Sequence, residues 1–441
     1  MRLFSLRSLY SGLLLLLLSG CGQGLNCVEQ SSGPTNQDPF ENVQVELGVD
    51  GSGSMLGYVN QRGSRYAQTI DSLSTLLSGK AVPTRYWRIG RGAQVQDTQA
   101  LSPTEFLKAR NPEFYSACEA NANNQTFPCV SSTLEQIYDI SGPNPKQDTL
   151  RILLTDLEPD NAAVGQLSGR ISNLLKKNPG YKAMLVGVRS QYNGAIFLAD
   201  TGKAALRYDT TGKNIDRQGR PFYVLITGPS GAVDALVERF QKLPLDVNQA
   251  IRASSFALDG SDTLAMDRSQ IPDKLNPCID QAGAINRQKP RRDQQEQWLL
   301  LEQTCDSKPL QITLPSQSSI ILAGSEQLRP QDFTVSNQAL QIDQVTNEQG
   351  KIVLNLTLDG SKFAPKKGEI MTIDLKKRAL DRATWQGWHT DVSAPNGAKT
   401  QNLNLFIGGL RDAVESAASK PTQKKATEQA VKYCLGFTRF E

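Results

Sequence analysis

Val43-Gln44-Val45-Glu46-Leu47-Gly48-Val49-Asp50-Gly51-Ser52-Gly53-Ser54 is the stretch that decides the fold. Apolar residues at 43, 45, 47 and 49 alternate with polar or small ones, the two-residue period of a β-strand, and the period stops at Asp50. Beyond it, Gly51 and Gly53 separate Asp50, Ser52 and Ser54. A tight turn there brings three side-chain oxygens within reach of one small, hard cation. In an open α/β sheet, ligands bind in the crevice at the carboxyl ends of the strands, which is where this turn stands.

Helices and strands alternate downstream. Tyr66, Ile70, Leu73, Leu76 and Leu77 make one apolar stripe of a helix that stops at Gly79. A strand at 86–89, an edge strand at 92–97 and a helix at 101–109 are expected next, then a loop at 110–131 that lacks apolar period. A helix at 133–140, a strand at 150–155 and a helix carrying Val164, Leu167, Ile171, Leu174 and Leu175 follow. Strands at 181–188 and 221–227 and a helix with Val233, Leu236, Val237 and Phe240 complete the series. Such alternation predicts an α/β fold over residues 42–245, a Rossmann-like, open and mainly parallel sheet flanked by helices. Ile152-Leu153-Leu154 and Val224-Leu225-Ile226 are apolar throughout, as strands covered on both faces should be.

After about residue 250 the pattern changes. Runs at 297–303, 310–314, 319–322, 333–343, 351–358 and 368–375 are short, strand-like and separated by turn residues, which predicts an antiparallel, all-β, sandwich-like domain over residues 250–400. Leu403, Phe406, Ile407, Leu410 and Val414 then fall at helical spacing, so 401–441 is expected to be a C-terminal helical segment.

The chain has 441 residues, enough at roughly 150 per domain for two or three domains with a large core. Its 48 Lys and Arg nearly balance 44 Asp and Glu; the net charge of +4 is too small to point to nucleic acid as a partner. A single histidine, His389, excludes a His-rich metal centre. Residues 1–20 have the layout of a cleaved signal peptide: Arg2 and Arg7, an apolar run at 13–18, then small residues. The run is about a third of the roughly 20 residues that a membrane-spanning helix needs.

Leu18-Ser19-Gly20-Cys21 resembles the lipobox of bacterial lipoproteins. The resemblance implies that Cys21 carries the lipid and becomes the first residue of a mature chain anchored in the cell envelope. Gly22 rather than Asp after it favours an outer-membrane location facing the periplasm. Residues 21–41, rich in Gly, Ser, Gln, Asn and Pro, read as a flexible tether. The remaining cysteines are even in number, and such a compartment keeps disulfides oxidised. Proximity pairs Cys118 with Cys129 and Cys278 with Cys305, which leaves Cys27 for Cys434.

Asp50-x-Ser52-x-Ser54 at the end of a hydrophobic first strand resembles the metal-ion-dependent adhesion site of von Willebrand factor A domains and integrin inserted domains. The resemblance implies a second aspartate after a later apolar strand, and Leu153-Leu154-Thr155-Asp156 supplies Asp156. Leu157 stands where that family usually has Gly. A hydroxyl opening a helix between the two motifs is implied as well, and Ser131-Ser132-Thr133 lies there; the register favours Ser132, with Thr133 as the alternative. Ser52, Ser54 and Ser132 or Thr133 would then touch a Mg2+ or Mn2+ directly. Asp50 and Asp156 would hold it through water or weakly, leaving one position open for a carboxylate of a partner protein.

Other features read as structure. Asp259-Gly260-Ser261-Asp262 echoes the motif but reads as a turn, Trp385-Gln386-Gly387-Trp388-His389 as a packed corner of the β domain, and Lys289-Pro290-Arg291-Arg292 as a solvated loop. The expectation is a lipid-anchored, non-enzymatic binding protein with an adhesion or envelope-assembly role. A structural scaffold with an inactive metal site and a metal-dependent hydrolase are the alternatives, the latter lacking an evident general base.

Overall fold

β1 (Val43–Asp50) is buried along its whole length. The computed structural model describes residues 38–78, 82–92, 98–118, 126–140, 147–158, 161–241, 251–258, 262–265, 298–301, 308–314, 327–348, 351–362, 369–418 and 427–439. After β1 come α1 (Arg65–Leu77), β2 (Thr84–Ile89), β3 (Thr98–Leu101), α2 (Pro103–Leu107), β4 (Asp148–Thr155), α3 (Asn161–Lys177) and β5 (Tyr181–Ser190). β6 (Asn193–Phe197), β7 (Ala204–Asp209), α4 (Ile215–Gln218), β8 (Arg220–Pro229), α5 (Ser230–Gln241) and β9 (Ile251–Ala257) follow. The second half contributes β10 (Asp262–Ala265), β11 (Trp298–Leu301), β12 (Lys308–Thr313), β13 (Phe333–Val335), β14 (Leu340–Glu348), β15 (Lys351–Leu358) and β16 (Glu369–Lys376). It ends with α6 (Lys377–Trp385), β17 (His389–Thr390), β18 (Thr400–Gln401), α7 (Leu403–Ala417) and β19 (Gln429–Arg439).

The apolar half of β1 does what its period predicts. Val45, Leu47 and Val49 share a core with Tyr66, Ile70 and Leu73 of α1 and Val233 and Leu236 of α5. Ser64 caps α1, its hydroxyl accepting from the Ala67 N–H. On the other face Leu153, Leu185 and Leu225 lie under Leu167 and Ile171 of α3 and Phe406 and Leu410 of α7. The polar half of β1 is buried too. The Glu46 carboxylate accepts from Arg85 Nη2 (2.6 Å), Trp87 Nε1 (2.6 Å) and Gln44 Nε2 (3.0 Å), so its burial leaves no orphan charge.

The central sheet has the order β3-β2-β1-β4-β8-β5-β9. β2, β1 and β4 are mutually parallel, whereas β3 runs against β2, β8 against both β4 and β5, and β9 against β5. The sheet is thus open and flanked by helices, but mixed, with parallel pairing confined to β2-β1-β4. The apolar run of β8 reflects cover on both faces, which says nothing of strand direction. β9 lies beyond residue 245, so the expected domain boundary falls inside this sheet. The helix expected at 133–140 is a 3-10 helix, Leu134–Tyr138, and that at 101–109 is the shorter α2, opened by a capping box of Ser102 and Glu105. Most of 92–97 lies outside the described residues, and β3 takes the sheet edge. The β6–β7 hairpin, largely solvent-facing, is not announced by any apolar period.

In the second half, β12, β15 and β14 form one antiparallel sheet, while β19 joins β16, β13, β10 and β11 in another. Ile312, Leu354 and Leu356 of the first meet Met371, Ile373 and Tyr433 of the second in one core, a sandwich-like arrangement. It is neither wholly antiparallel nor wholly β, because β10 and β11 run parallel to β19 and α6 adds Leu380 and Ala383 to the core. The run at 333–343 divides at a turn closed by Asn337, whose Oδ1 accepts from the Ala339 N–H, and β13 and β14 enter different sheets. The segment expected to be helical ends in strand β19, where pairing with β16 supplies its backbone partners. Trp385 and Trp388 pack on the central sheet rather than in a β-domain corner; an added Cβ at Gly187 would come within 2.9 Å of both rings.

Among the described residues no helix is long and apolar enough to cross a membrane. Cys21 with the lipobox, the tether before residue 38, Cys27, Cys278, Cys305, the basic 289–292 loop, the 319–322 run and most of the Asp259-Gly260-Ser261-Asp262 echo lie outside the described residues. Cys118 and Cys129 form the expected disulfide, and Cys434, fully buried in β19, is also disulfide-bonded.

Candidate metal site

The parallel register sets Val49 opposite Leu154, which carries Asp50 beside Thr155 and brings Asp156 to the same sheet end. Asp50 is fully buried. Its Oδ1 accepts from the Ser52 N–H (3.0 Å), and its Oδ2 accepts from Ser132 Oγ (3.1 Å) and Thr155 Oγ1 (2.9 Å). Ser52 Oγ and Ser54 Oγ stand 3.1 Å apart. Residues separated by more than a hundred positions therefore meet at the carboxyl end of the parallel trio.

Gly51 and Gly53 serve close approach rather than turn handedness. Neither has a positive φ; an added Cβ would lie 2.8 Å from the Arg88 side chain at Gly51 and 2.9 Å from Cys118 Cβ at Gly53. The disulfide thus packs on the turn itself. Its other half, Cys129, leads within three residues to Ser132, and Ser131 is held in register by paired backbone hydrogen bonds with Arg91 (2.8 and 3.0 Å).

Burial, and secondarily the charge of Asp156, raise the Asp50 carboxyl from 3.8 to about 6, against the lowering effect of its hydrogen bonds from Ser52 and Thr155. Asp156 is buried, and its Oδ2 has no hydrogen-bond partner; the same holds for Thr133 Oγ1 at the start of the 3-10 helix. Arg88 lies buried behind the turn, donating to the Gly51 carbonyl (3.0 Å) and facing the Phe114 ring. Glu158, two residues beyond Asp156, is paired with the buried Arg220 at 2.5 Å. Leu157 between them has φ 52°, the left-handed region that a Gly would occupy without strain.

Of the residues expected from sequence, the structure gathers Asp50, Ser52, Ser54 and Ser132 by direct hydrogen bonds, with Thr133 next in the chain and Asp156 next to Thr155. Thr155 and Arg88 are additions to that set. Thr155 carries a readable signal, a hydroxyl ending an otherwise apolar strand; Arg88 carries none, since its role depends on β2 lying beside β1. The donor set fits a hard divalent cation: two carboxylates, neutral hydroxyls, and a buried carboxylate oxygen and hydroxyl that lack partners. No cluster of three or more His, Cys, Asp or Glu able to hold a metal occurs among the described residues. The chain matches no protein-family model, no curated protein and no solved structure.

Proposed function

We propose that the turn at residues 50–54 is a Mg2+ or Mn2+ site of the von Willebrand factor A kind, through which a partner protein is bound. The observation that carries this reading is the pair of buried, partnerless oxygens, Asp156 Oδ2 and Thr133 Oγ1, beside the hydrogen-bonded set of Asp50, Ser52, Ser54 and Ser132. A bound divalent ion would offer a Lewis-acid contact to one carboxylate of the partner. Ser52, Ser54 and either Ser132 or Thr133 are assigned to the ion; the Ser132 hydroxyl donates to Asp50 and keeps its lone pairs, and Thr133 Oγ1 has no partner. Asp50 and Thr155 keep the turn in place, and Arg88 offsets part of the carboxylate charge.

Binding is favoured over hydrolysis because the nearby acids have other tasks, Asp156 being taken by the ion in this reading and the rest already paired. Asp50 accepts three hydrogen bonds, Glu158 is paired with Arg220, and His389 lines a different part of the molecule, between α6 and α7. The lipobox supports placing the chain on an envelope membrane, with the tether presenting the site to its partner. Calorimetric titration of the purified chain with Mn2+ should give saturable binding that Ser52→Ala weakens by at least about tenfold. Recovery of the same partners from envelope extracts with and without EDTA would sink the reading.

A further inference from the structure

A second feature with unsatisfied polar atoms lies between α6 and α7. The cleft there encloses about 450 Å³, within the range of roughly 300–1,000 Å³ typical of small-molecule sites. Trp385 and Ile407 give it apolar walls, and nothing stands within 4 Å of a Cβ added at Gly387 or Gly408. Arg378, Arg382 and Arg411 line it together with Asp381, and each arginine is ion-paired: Arg411 with Asp381, Arg378 with Asp412 and Glu415, and Arg382 with Asp332.

Arg411 is only 2% exposed. Its Nε and Nη2 both reach Asp381 Oδ2 at 2.9 Å, Nη2 also donates to the Ser255 carbonyl (2.9 Å), and the guanidinium lies over the Phe256 ring. Asp381 cannot turn to the third nitrogen, because its Oδ1 accepts from Ser254 Oγ (2.6 Å), which in turn accepts from Trp385 Nε1 (2.9 Å). Arg411 Nη1 is left buried without an acceptor. On another lining residue, His389, Nε2 is 3.2 Å from Asp391 Oδ1 while Nδ1 is buried and also without a partner. Each such atom costs about 1–3 kcal/mol while it stays unpaired, and a ligand that partners it recovers part of that cost.

We propose that this cleft binds a small organic acid, a carboxylate or phosphomonoester on a ring-sized apolar body, whose oxyanion accepts from Arg411 Nη1. The body lies along Trp385 and Ile407, in the space left by Gly387 and Gly408. With Nε2–H donating to Asp391, His389 Nδ1 presents a lone pair to a hydroxyl of the ligand. Arg378 and Arg382 are more than half exposed and paired with Asp412, Glu415 and Asp332 at the mouth. The Arg378–Asp412 pair, exposed on both sides, contributes about 0–1 kcal/mol and exchanges readily for an incoming anion, whereas Arg382 stays with the buried Asp332.

The site does not depend on the metal reading, and titrations in EDTA keep the two apart. The full chain is titrated, by ligand-observed NMR and calorimetry, with 4-hydroxybenzoate, phenyl phosphate and, as the uncharged control, 4-hydroxybenzyl alcohol. Saturable binding of either anion with Kd of about 1 mM or tighter is expected, with the alcohol at least about tenfold weaker. The relative affinity of the two anions assigns the ligand to the carboxylate or the phosphate class. Because Arg411 belongs to a buried network, the deciding variant is Gly408→Leu, which fills open space in α7 and leaves that network untouched. It should keep the melting temperature and weaken both anions by more than about tenfold. No saturation by either anion, equal binding of the alcohol, or undiminished affinity in a folded Gly408→Leu chain would each overturn the proposal.

Discussion

Asp50 combines burial, a nearby like charge and three hydrogen bonds in one side chain, and the balance of these sets how the site responds to pH. Its folded value of about 6 lies above the ordinary 3.8. A raised carboxyl contributes stability to the metal-free chain at acidic pH, and that contribution is lost as pH rises through about 6. Metal binding has the opposite preference, since it selects the ionised form. Mn2+ affinity should therefore fall about tenfold between pH 7 and pH 5, as calorimetry at the two values can measure; an affinity flat over that range would contradict any part for the Asp50 charge in holding the ion. Leu157 presents a second balance. Its left-handed backbone costs about 1–2 kcal/mol, yet its side chain is 2% exposed in the core under α3. Leu157→Gly relieves the first and forfeits more of the second, so urea titration should show a net loss of about 1–3 kcal/mol.

Elements matter at this site because none holds it alone. β1 and β4 bring the carboxylates, the turn after β1 brings Ser52 and Ser54, and the segment between Cys129 and Leu134 brings the hydroxyls of Ser132 and Thr133. The Cys118–Cys129 disulfide joins that segment to Gly53 through direct packing. Replacing both cysteines by Ser should lower stability by about 2–3 kcal/mol from the freed loop. It should also weaken Mn2+ binding by more than the global destabilisation accounts for, because the brace touches the turn. Unchanged Mn2+ affinity in the folded double variant would make the disulfide a staple only.

At the scale of the molecule, the second half of the chain is tied to the central sheet by buried arginines. Arg189 donates to the carbonyls of Gly219 (2.8 Å), Ala398 (2.7 Å) and Gly387 (3.3 Å) and lies 4.6 Å from the Trp388 ring centroid. Arg220 reaches Gly397 and Glu158, and Glu158 Oε1 accepts the Gln401 N–H just before α7. Arg189→Ala leaves several buried carbonyls without donors. It should cost about 3–5 kcal/mol and split chemical unfolding into two transitions. A single transition with less than about 1 kcal/mol lost would mean that the two halves are held elsewhere.

Whatever depends on near neighbours is legible in the amino-acid sequence: the period of β1, the stripes of α1, α3 and α7, the Asp50-Ser52-Ser54 spacing and the close Cys118–Cys129 pair. Each of these is a local pattern, because side-chain period and loop closure act over a few residues. The rest follows from long-range packing. The direction of β8, the recruitment of β9 into the first sheet and the strand state of 429–439 depend on which edge was free to pair, and apolar composition does not encode that. Thr155 and Arg88 joined the site, and Arg411 was left with an unpaired nitrogen, only because strands and helices far apart in sequence were packed side by side.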